Sequence, residues 1–341
     1  MKVAVVGAGI SGCLVANLLD THGANVSVFE QFNDLGGRAN TTQFEWGQCD
    51  LGATVVVAQN SEFGAHMQHL CRQGVASQWP KKILLSRQNP AVKQSLENYP
   101  SDRKYYVFNQ QMHHACRYWL RNIKNLHTHN PINQVRYVEG KGWQLKSKQV
   151  WQLEWFDNVI LTMPWPHSQQ LLEKSSLPSQ CVDDAPSWSS CWSIALKLQP
   201  VVASDIDLVY LKNHSIQTLV RDSSKPFRPQ LVNTKQGVNS EIWVAQLANK
   251  LSDEIGQAGK EYAISLATNA LCELLDLPID AVTHSEGKYW QYARPSHGQE
   301  PLGILSLQNG MYIGGDWSFG ASIEAAFNGA RALSQTLIAN E

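Results

Sequence analysis

Residues 2–19 read KVAVVGAGISGCLVANLL, and the nature of this stretch decides the fold. Lys2 to Val6 is apolar and largely β-branched, as a strand buried on both faces should be. Gly7-Ala8-Gly9-Ile10-Ser11-Gly12 follows, then a helical run ending near His22-Gly23. A second strand-like run, Asn25 to Phe29, closes on Glu30 and Gln31. A strand, a glycine-rich turn, a helix and an acidic residue about 20 positions further on form a dinucleotide-binding βαβ unit. Gly7 permits the tight turn, Gly9 lets backbone approach a pyrophosphate, and Gly12 lets helix and strand pack closely. The pyrophosphate would cap the helix at Ile10 and Ser11, where free N–H groups and the helix dipole favour negative charge. Glu30 would accept hydrogen bonds from an adenosine ribose, with Gln31 beside it. An export or membrane reading does worse. Only Lys2 precedes the apolar run where a signal peptide needs a basic region, and glycines at 7, 9 and 12 make a poor spanning helix.

Composition agrees with a soluble globular protein. The 341 residues suggest about two domains. A hydrophobic fraction of 43% and a charged fraction of 17% exclude disorder as the main state. A formal net charge of −1 favours neither nucleic acid nor an anionic membrane as partner. The seven cysteines form no C-x-x-C pair, so neither a disulfide framework nor a zinc site is indicated, and a reducing, cytoplasmic setting is expected. His66 and His69 stand three apart without a convergent carboxylate or cysteine, which argues against a metal. His113-His114, His127 and His129 read as polar surface. No G-x-S-x-G motif is present.

Two further corners bear on which dinucleotide would bind. Leu35-Gly36-Gly37-Arg38 offers a backbone hairpin and a guanidinium that can pair with the same pyrophosphate. Met311 to Asp316, MYIGGD, reads as a short strand ending in glycines and an acid, and Ser322 to Arg331 reads as a helix. This second strand-to-helix junction can place Asp316, beyond Gly315, on a ribityl hydroxyl. It can also aim the helix start at Ser322, Ile323 and Glu324 toward the N1/O2 edge of an isoalloxazine.

Together, VGAGISG, Glu30, GGR and the terminal IGGDWSFGASIEAAFNGARAL resemble the FAD-dependent amine oxidase superfamily, and within it most nearly the renalase branch. Cys49-Asp50-Leu51-Gly52-Ala53 is similar to the D-x-G-A segment beside the flavin in that superfamily, which marks Gly52, Ala53 and Thr54. Val107 to Met112, Asn158 to Pro164, Arg221 to Pro226 and Lys288 to Pro295 resemble further stretches of the branch. The resemblance implies a Rossmann-like FAD-binding domain of the p-hydroxybenzoate hydroxylase or amine oxidase type. A second α+β substrate domain on a mixed, largely antiparallel sheet would accompany it. The FAD domain would comprise roughly 1–60, 103–165 and 288–341, and the substrate domain 61–102 and 166–287. In the former, Ile132 to Val138 reads as a strand whose Val135 backbone meets the adenine, as in related flavoproteins. In the latter, Glu62 to Arg72 and Glu261 to Leu275 read as helices, and Cys191 to Leu198 and Ile242 to Leu247 as strands. The polar stretch Ser86 to Lys104 reads as a mobile loop.

On a strand, Trp290, Tyr292 and Arg294 share a face that can offer two aromatic planes and a cation to a flat, anionic substrate. The same residues read equally as sheet core with a surface ion pair. Trp192, in a row with Ile194 and Leu196, is a further candidate that reads more readily as core. Amine oxidases of the superfamily commonly place a lysine beside flavin N5. That position falls at Trp192 or Ser193 here, and Lys197 is a poor substitute. Asp316 to Gly320 holds no cysteine, so the resemblance implies non-covalent FAD. Renalases oxidise the 2- and 6-dihydro isomers of nicotinamide dinucleotides and pass the electrons to O2, giving H2O2. The expected partners are therefore a small-molecule hydride donor and O2, with nothing to set an oligomeric state. An amine oxidase, a desaturase-like enzyme, or a flavin carrier without turnover are the alternatives.

Overall fold

The computed structural model describes residues 1–89, 92–179, 186–201, 205–229, 231–233, 238–296 and 301–340. The chain divides into two compact units. The first comprises Met1–Ala39, His113–Ser187 and Pro295–Glu341, and the second Asn40–Met112 and Trp188–Arg294. These bounds differ from the expected ones. Residues 40–60, 103–112 and 288–294 pack with the second unit, and 166–179 and 186–187 with the first. The physical reason lies in strand pairing. Val56–Ala58 pairs with Lys104–Phe108, so both segments are held in one small sheet.

The first unit is built on a sheet ordered 125–127, 25–29, 2–6, 158–161, 311–313 and 305–307, parallel until its last, antiparallel member. The opening strand Lys2–Val6 lies between Asn25–Phe29 and Asn158–Leu161. Its residues after Lys2 are buried, as a strand covered on both faces requires. Helix Ile10–Thr21 packs on the terminal helix Ile323–Ala339. A three-stranded sheet, Ile132–Val138, Gly142–Ser147 and Val150–Trp151, belongs to the same unit.

The second unit carries an eight-stranded sheet among the described residues, in which Trp188–Leu198, Val238–Leu247, Ile216–Arg221 and Leu208–Lys212 pair antiparallel in turn and Leu208–Lys212 pairs parallel with Ile83–Asn89. Helix Lys260–Leu275 covers one face through Ala263, Ala267 and Leu271. Trp192, Ile194, Leu196 and Leu198 meet it there from strand Trp188–Leu198. The period of two sends Cys191, Ser193, Ala195 and Lys197 to the other face. Most of the expected loop at 86–104 is instead paired strand, Ile83–Asn89 antiparallel with Val92–Asn98 and Ser86 facing Leu96, while 99–103 is irregular as expected. Its second strand ends the sheet order, and Glu97 and Asn98 are exposed, so polar composition there marks an edge strand rather than a loop. Pro90 lies outside the described residues. Among the described residues no helix is long and apolar enough to cross a membrane.

Candidate active site

The three glycine-rich corners lie together in the first unit. Gly7 turns with φ +104°, and a Cβ on Gly12 would stand 1.8 Å from the Gly7 carbonyl oxygen. Only glycine lets the helix start so close to the strand it leaves. A Cβ on Gly9 would meet nothing within 4 Å. Gly9 is also the N-cap of helix Ile10–Thr21, which has no side-chain cap and no acidic residue in its first turn. The amides of Ile10 and Ser11 thus begin a helix with open space at its cap, the arrangement an anion needs. Glu30 is buried at this turn. Its carboxylate accepts from the Ala8 amide at 2.8 Å and the Phe32 amide at 3.0 Å. Gln31, next to it, is exposed.

The second corner is stitched to the first. The Gly36 amide donates to the Ala8 carbonyl at 2.8 Å, and Gly9 and Gly36 form an isolated parallel bridge. Gly37 lies over Gly9, where an added Cβ would stand 3.5 Å from the Gly9 Cα. The third corner is joined to the second by Arg38, whose guanidinium donates to Asp316 at 2.6 Å. The two side chains are 26% and 17% exposed, so the pair is reachable from solvent. Gly314 donates to Leu161 at 3.0 Å, and the Trp317 indole donates to the Met163 carbonyl at 2.9 Å, fixing this corner on the end of the neighbouring strand.

Three site expectations meet groups already engaged. Arg38 and Asp316 were assigned to different parts of a cofactor, yet here they hold each other. The Val135 amide, expected at the adenine, donates to the Ser175 hydroxyl at 2.9 Å. The terminal helix is capped by Ser322, which accepts from the Ala325 amide at 3.0 Å. That leaves Ile323 and the buried Glu324 in the first turn. Two residues were missed. His113, expected at the surface, is buried, and a Cβ on Gly36 would stand 2.7 Å from its own Cβ. His167, on helix Trp165–Lys174, titrates below the usual histidine range because burial and then the Arg38 charge disfavour its protonation. The only sequence signal for it was its place just after the strand returning through Met163-Pro164.

Within the second unit, the segment bearing Gly52, Ala53 and Thr54 is gripped by its own backbone. The Trp290 indole donates to the Leu51 carbonyl at 2.6 Å, and the Gln246 amide donates to the Gly52 carbonyl at 2.8 Å. Trp290 thus tethers this segment through its indole N–H, and the Lys288 ammonium lies 4.0 Å from its ring centroid. Burial lowers the Lys288 pKa. Tyr292 meets Trp188 edge-on at 5.8 Å. Arg294 acts on the Cys191 thiol, whose pKa burial raises and the guanidinium opposes. Trp192 is core: 3% exposed, its indole donates to the Gly256 carbonyl at 2.9 Å on the helix-covered side.

Beneath that segment sits a charge cluster the sequence reading did not identify. Asp50 and Asp222 are fully buried. The Lys225 ammonium donates to both, at 2.6 Å each, and the Arg228 guanidinium pairs with both as well. Thr41 donates to Asp50 at 2.6 Å and accepts from the Met112 amide. Burial alone would push the Asp50 carboxyl up, but Lys225 and Arg228 outweigh it and hold it at about 2. Burial moves Asp222 the other way. Two carboxylates and two cations leave the cluster neutral overall, which is how buried charge is tolerated. Among the described residues no group of histidines, cysteines and carboxylates could hold a metal ion.

A family model for an NAD(P)-binding Rossmann-like domain matches residues 5–73. Among solved structures, a putrescine oxidase triple mutant superposes with TM-score 0.73 at 11% identity, covering 100% of this chain and 99% of that one. Cyclohexylamine oxidase from Brevibacterium oxydans gives 0.69 at 13%, covering 99% of each. The fold is that of the amine oxidases. An oxidoreductase from Methanosarcina mazei superposes with TM-score 0.72 at 13% identity, with 100% of each chain covered. A curated relative is the 4,4'-diapophytoene desaturase (4,4'-diaponeurosporene-forming) of Staphylococcus aureus strain Newman. It is 39% identical over 57 residues, 17% of this chain and 11% of the desaturase. The chain spans about a tenth of the length of the curated relatives it matches.

Proposed function

We propose that this protein is an FAD-dependent oxidoreductase whose first unit binds the cofactor non-covalently and whose second unit serves the substrate. The observation that carries the reading is the meeting of Gly9 with Gly36 and of Arg38 with Asp316. Three separated stretches thereby present an open helix N-terminus, a buried carboxylate and an ion pair in one unit. The residues present suit an extended dinucleotide. Gly9, Ile10 and Ser11 would hold the pyrophosphate, Glu30 would take ribose hydroxyls, and Gly37 would keep the backbone close. Arg38 would turn from Asp316 toward phosphate, releasing Asp316 for a ribityl hydroxyl. Gly315 and the helix start at Ser322, Ile323 and Glu324 would face the ring end. The resemblance also assigns Gly52, Ala53 and Thr54 to the cofactor, and the bonds from Trp290 and Gln246 fix their backbone. The Val135 amide would serve the adenine after exchanging its bond to Ser175.

Bound FAD supplies acceptance of a hydride and reoxidation by O2. The chain's own part is to orient the donor, exclude water and leave the donor's protonation state undisturbed. For the donor we favour 2- or 6-dihydronicotinamide dinucleotides, as in renalases. Their oxidation leaves an aromatic pyridinium and calls for no protein base. On the sheet face opposite helix Lys260–Leu275, Ser193, Ala195 and Gln246 are neutral side chains, in keeping with a reaction that calls for no base. Amine oxidation, the second reading, is favoured by the likeness to amine oxidases and needs desolvation that keeps the amine neutral. Anaerobic mixing separates them: bleaching by dihydronicotinamide isomers but not by amines is expected, and bleaching by amines alone reverses the ranking.

A further inference from the structure

We propose that the second unit carries a binding pocket for a flat aromatic molecule bearing one anionic group, held by Lys197 and by the Phe44–Trp46 pair. The pocket has a volume of about 390 Å³ and is lined by Lys197, Phe44, Trp46, Arg228, Ser223 and Ser240, among others. Small-molecule sites span about 300–1,000 Å³, so this one suits a single compact ligand.

The charge pattern decides the ligand's sign. Arg228 is spent on Asp50, Asp222 and the Gln110 carbonyl. Glu45, the acid on the wall, is exposed to solvent. Lys197 is half-buried on the side of strand Trp188–Leu198 opposite helix Lys260–Leu275, across from Ile242 in register. Among the described residues no carboxylate pairs with its ammonium. A half-buried cation in an otherwise neutral row of Cys191, Ser193 and Ala195 gains most from an anion that enters from outside.

The aromatic pair decides the ligand's shape. Phe44 and Trp46 stack in parallel, with centroids 4.5 Å apart and planes 2° apart. Hairpin Thr42–Phe44 with Gly47–Cys49 fixes the stack beside the cation, because its far end continues into the clamped Asp50. Rigid aromatic faces next to a point charge select a planar ring joined to an anion. A nucleoside monophosphate combines both. The pocket's chemistry stands by itself; that its occupant is the non-reacting nucleotide of a dihydronicotinamide dinucleotide rests on the function proposed above.

The test is calorimetric titration of the FAD-saturated protein with AMP, with adenosine and inorganic phosphate as half-ligands. AMP is expected to bind, and each half-ligand to bind about tenfold or more weakly. Lys197→Gln should weaken AMP about tenfold or more, while Lys197→Arg, which keeps the charge, should stay near the parent value. No heat with millimolar AMP, or an AMP affinity unchanged in Lys197→Gln, would overturn the proposal. The readout is binding without turnover, so a pocket that holds AMP in a protein no donor bleaches would contradict only the proposed reaction.

Discussion

At the scale of single residues, two neighbouring glycines separate structural need from cofactor need. A methyl group on Gly12 collides with the Gly7 carbonyl at 1.8 Å. Gly12→Ala is expected to cost about 3 kcal/mol, read as a fall in thermal midpoint with or without cofactor. At Gly9 a methyl group meets nothing within 4 Å. Gly9→Ala should fold with a loss within about 1 kcal/mol. Its FAD affinity should nonetheless fall about tenfold or more, because the pyrophosphate must approach that backbone. Normal affinity in Gly9→Ala would place the phosphates elsewhere. His66 supplies a pH test. Burial, then the His69 charge, depress its pKa from 6.5 to about 4. The unfolded chain therefore binds the proton first as acid is added. Stability is full above about pH 6.5 and declines toward pH 4, by about 1–3 kcal/mol from this residue. Denaturant unfolding of His66→Gln should show a flatter pH dependence across that window.

At the scale of elements, the buried cluster on Asp50, Asp222, Lys225 and Arg228 clamps the turn after Gly47–Cys49 to the turn after Ile216–Arg221. Lys225→Met leaves two buried carboxylates sharing one guanidinium and should destabilise by about 3–5 kcal/mol. Combining it with Asp222→Asn restores charge balance and should recover much of that loss, a coupling read by a double-mutant cycle. The cluster was not legible because Asp50 and Lys225 stand 175 residues apart and hydropathy says nothing about pairing at that distance. The strands and helices themselves were legible. Lys2–Val6 and Asn25–Phe29 follow the sequence boundaries, since β-branched runs between turn residues leave little choice. The 86–104 stretch misled because an edge strand exposes one face and so looks like a loop. Trp290 was legible as a strand residue but not as a tether, since its partner carbonyl, Leu51, lies 239 positions away.

At the scale of the whole molecule, the Rossmann-like unit could be read from its first thirty residues, because glycine spacing reports backbone approach directly. The unit boundaries could not. Residues 40–60 follow the fingerprint in sequence but take their partners from Lys104–Phe108 and from the Asp222–Arg228 turn, as pairing dictates. The central claim concerns the first unit alone: three glycine-rich corners joined at Gly9–Gly36 and Arg38–Asp316 grip one FAD. Fluorescence titration of the cofactor-stripped protein with FAD, alongside NAD, tests it most directly. The account predicts saturable, one-to-one quenching by FAD, tighter than any response to NAD, with the bound flavin released intact on denaturation. A protein that stays colourless and ignores FAD while binding NAD would contradict it.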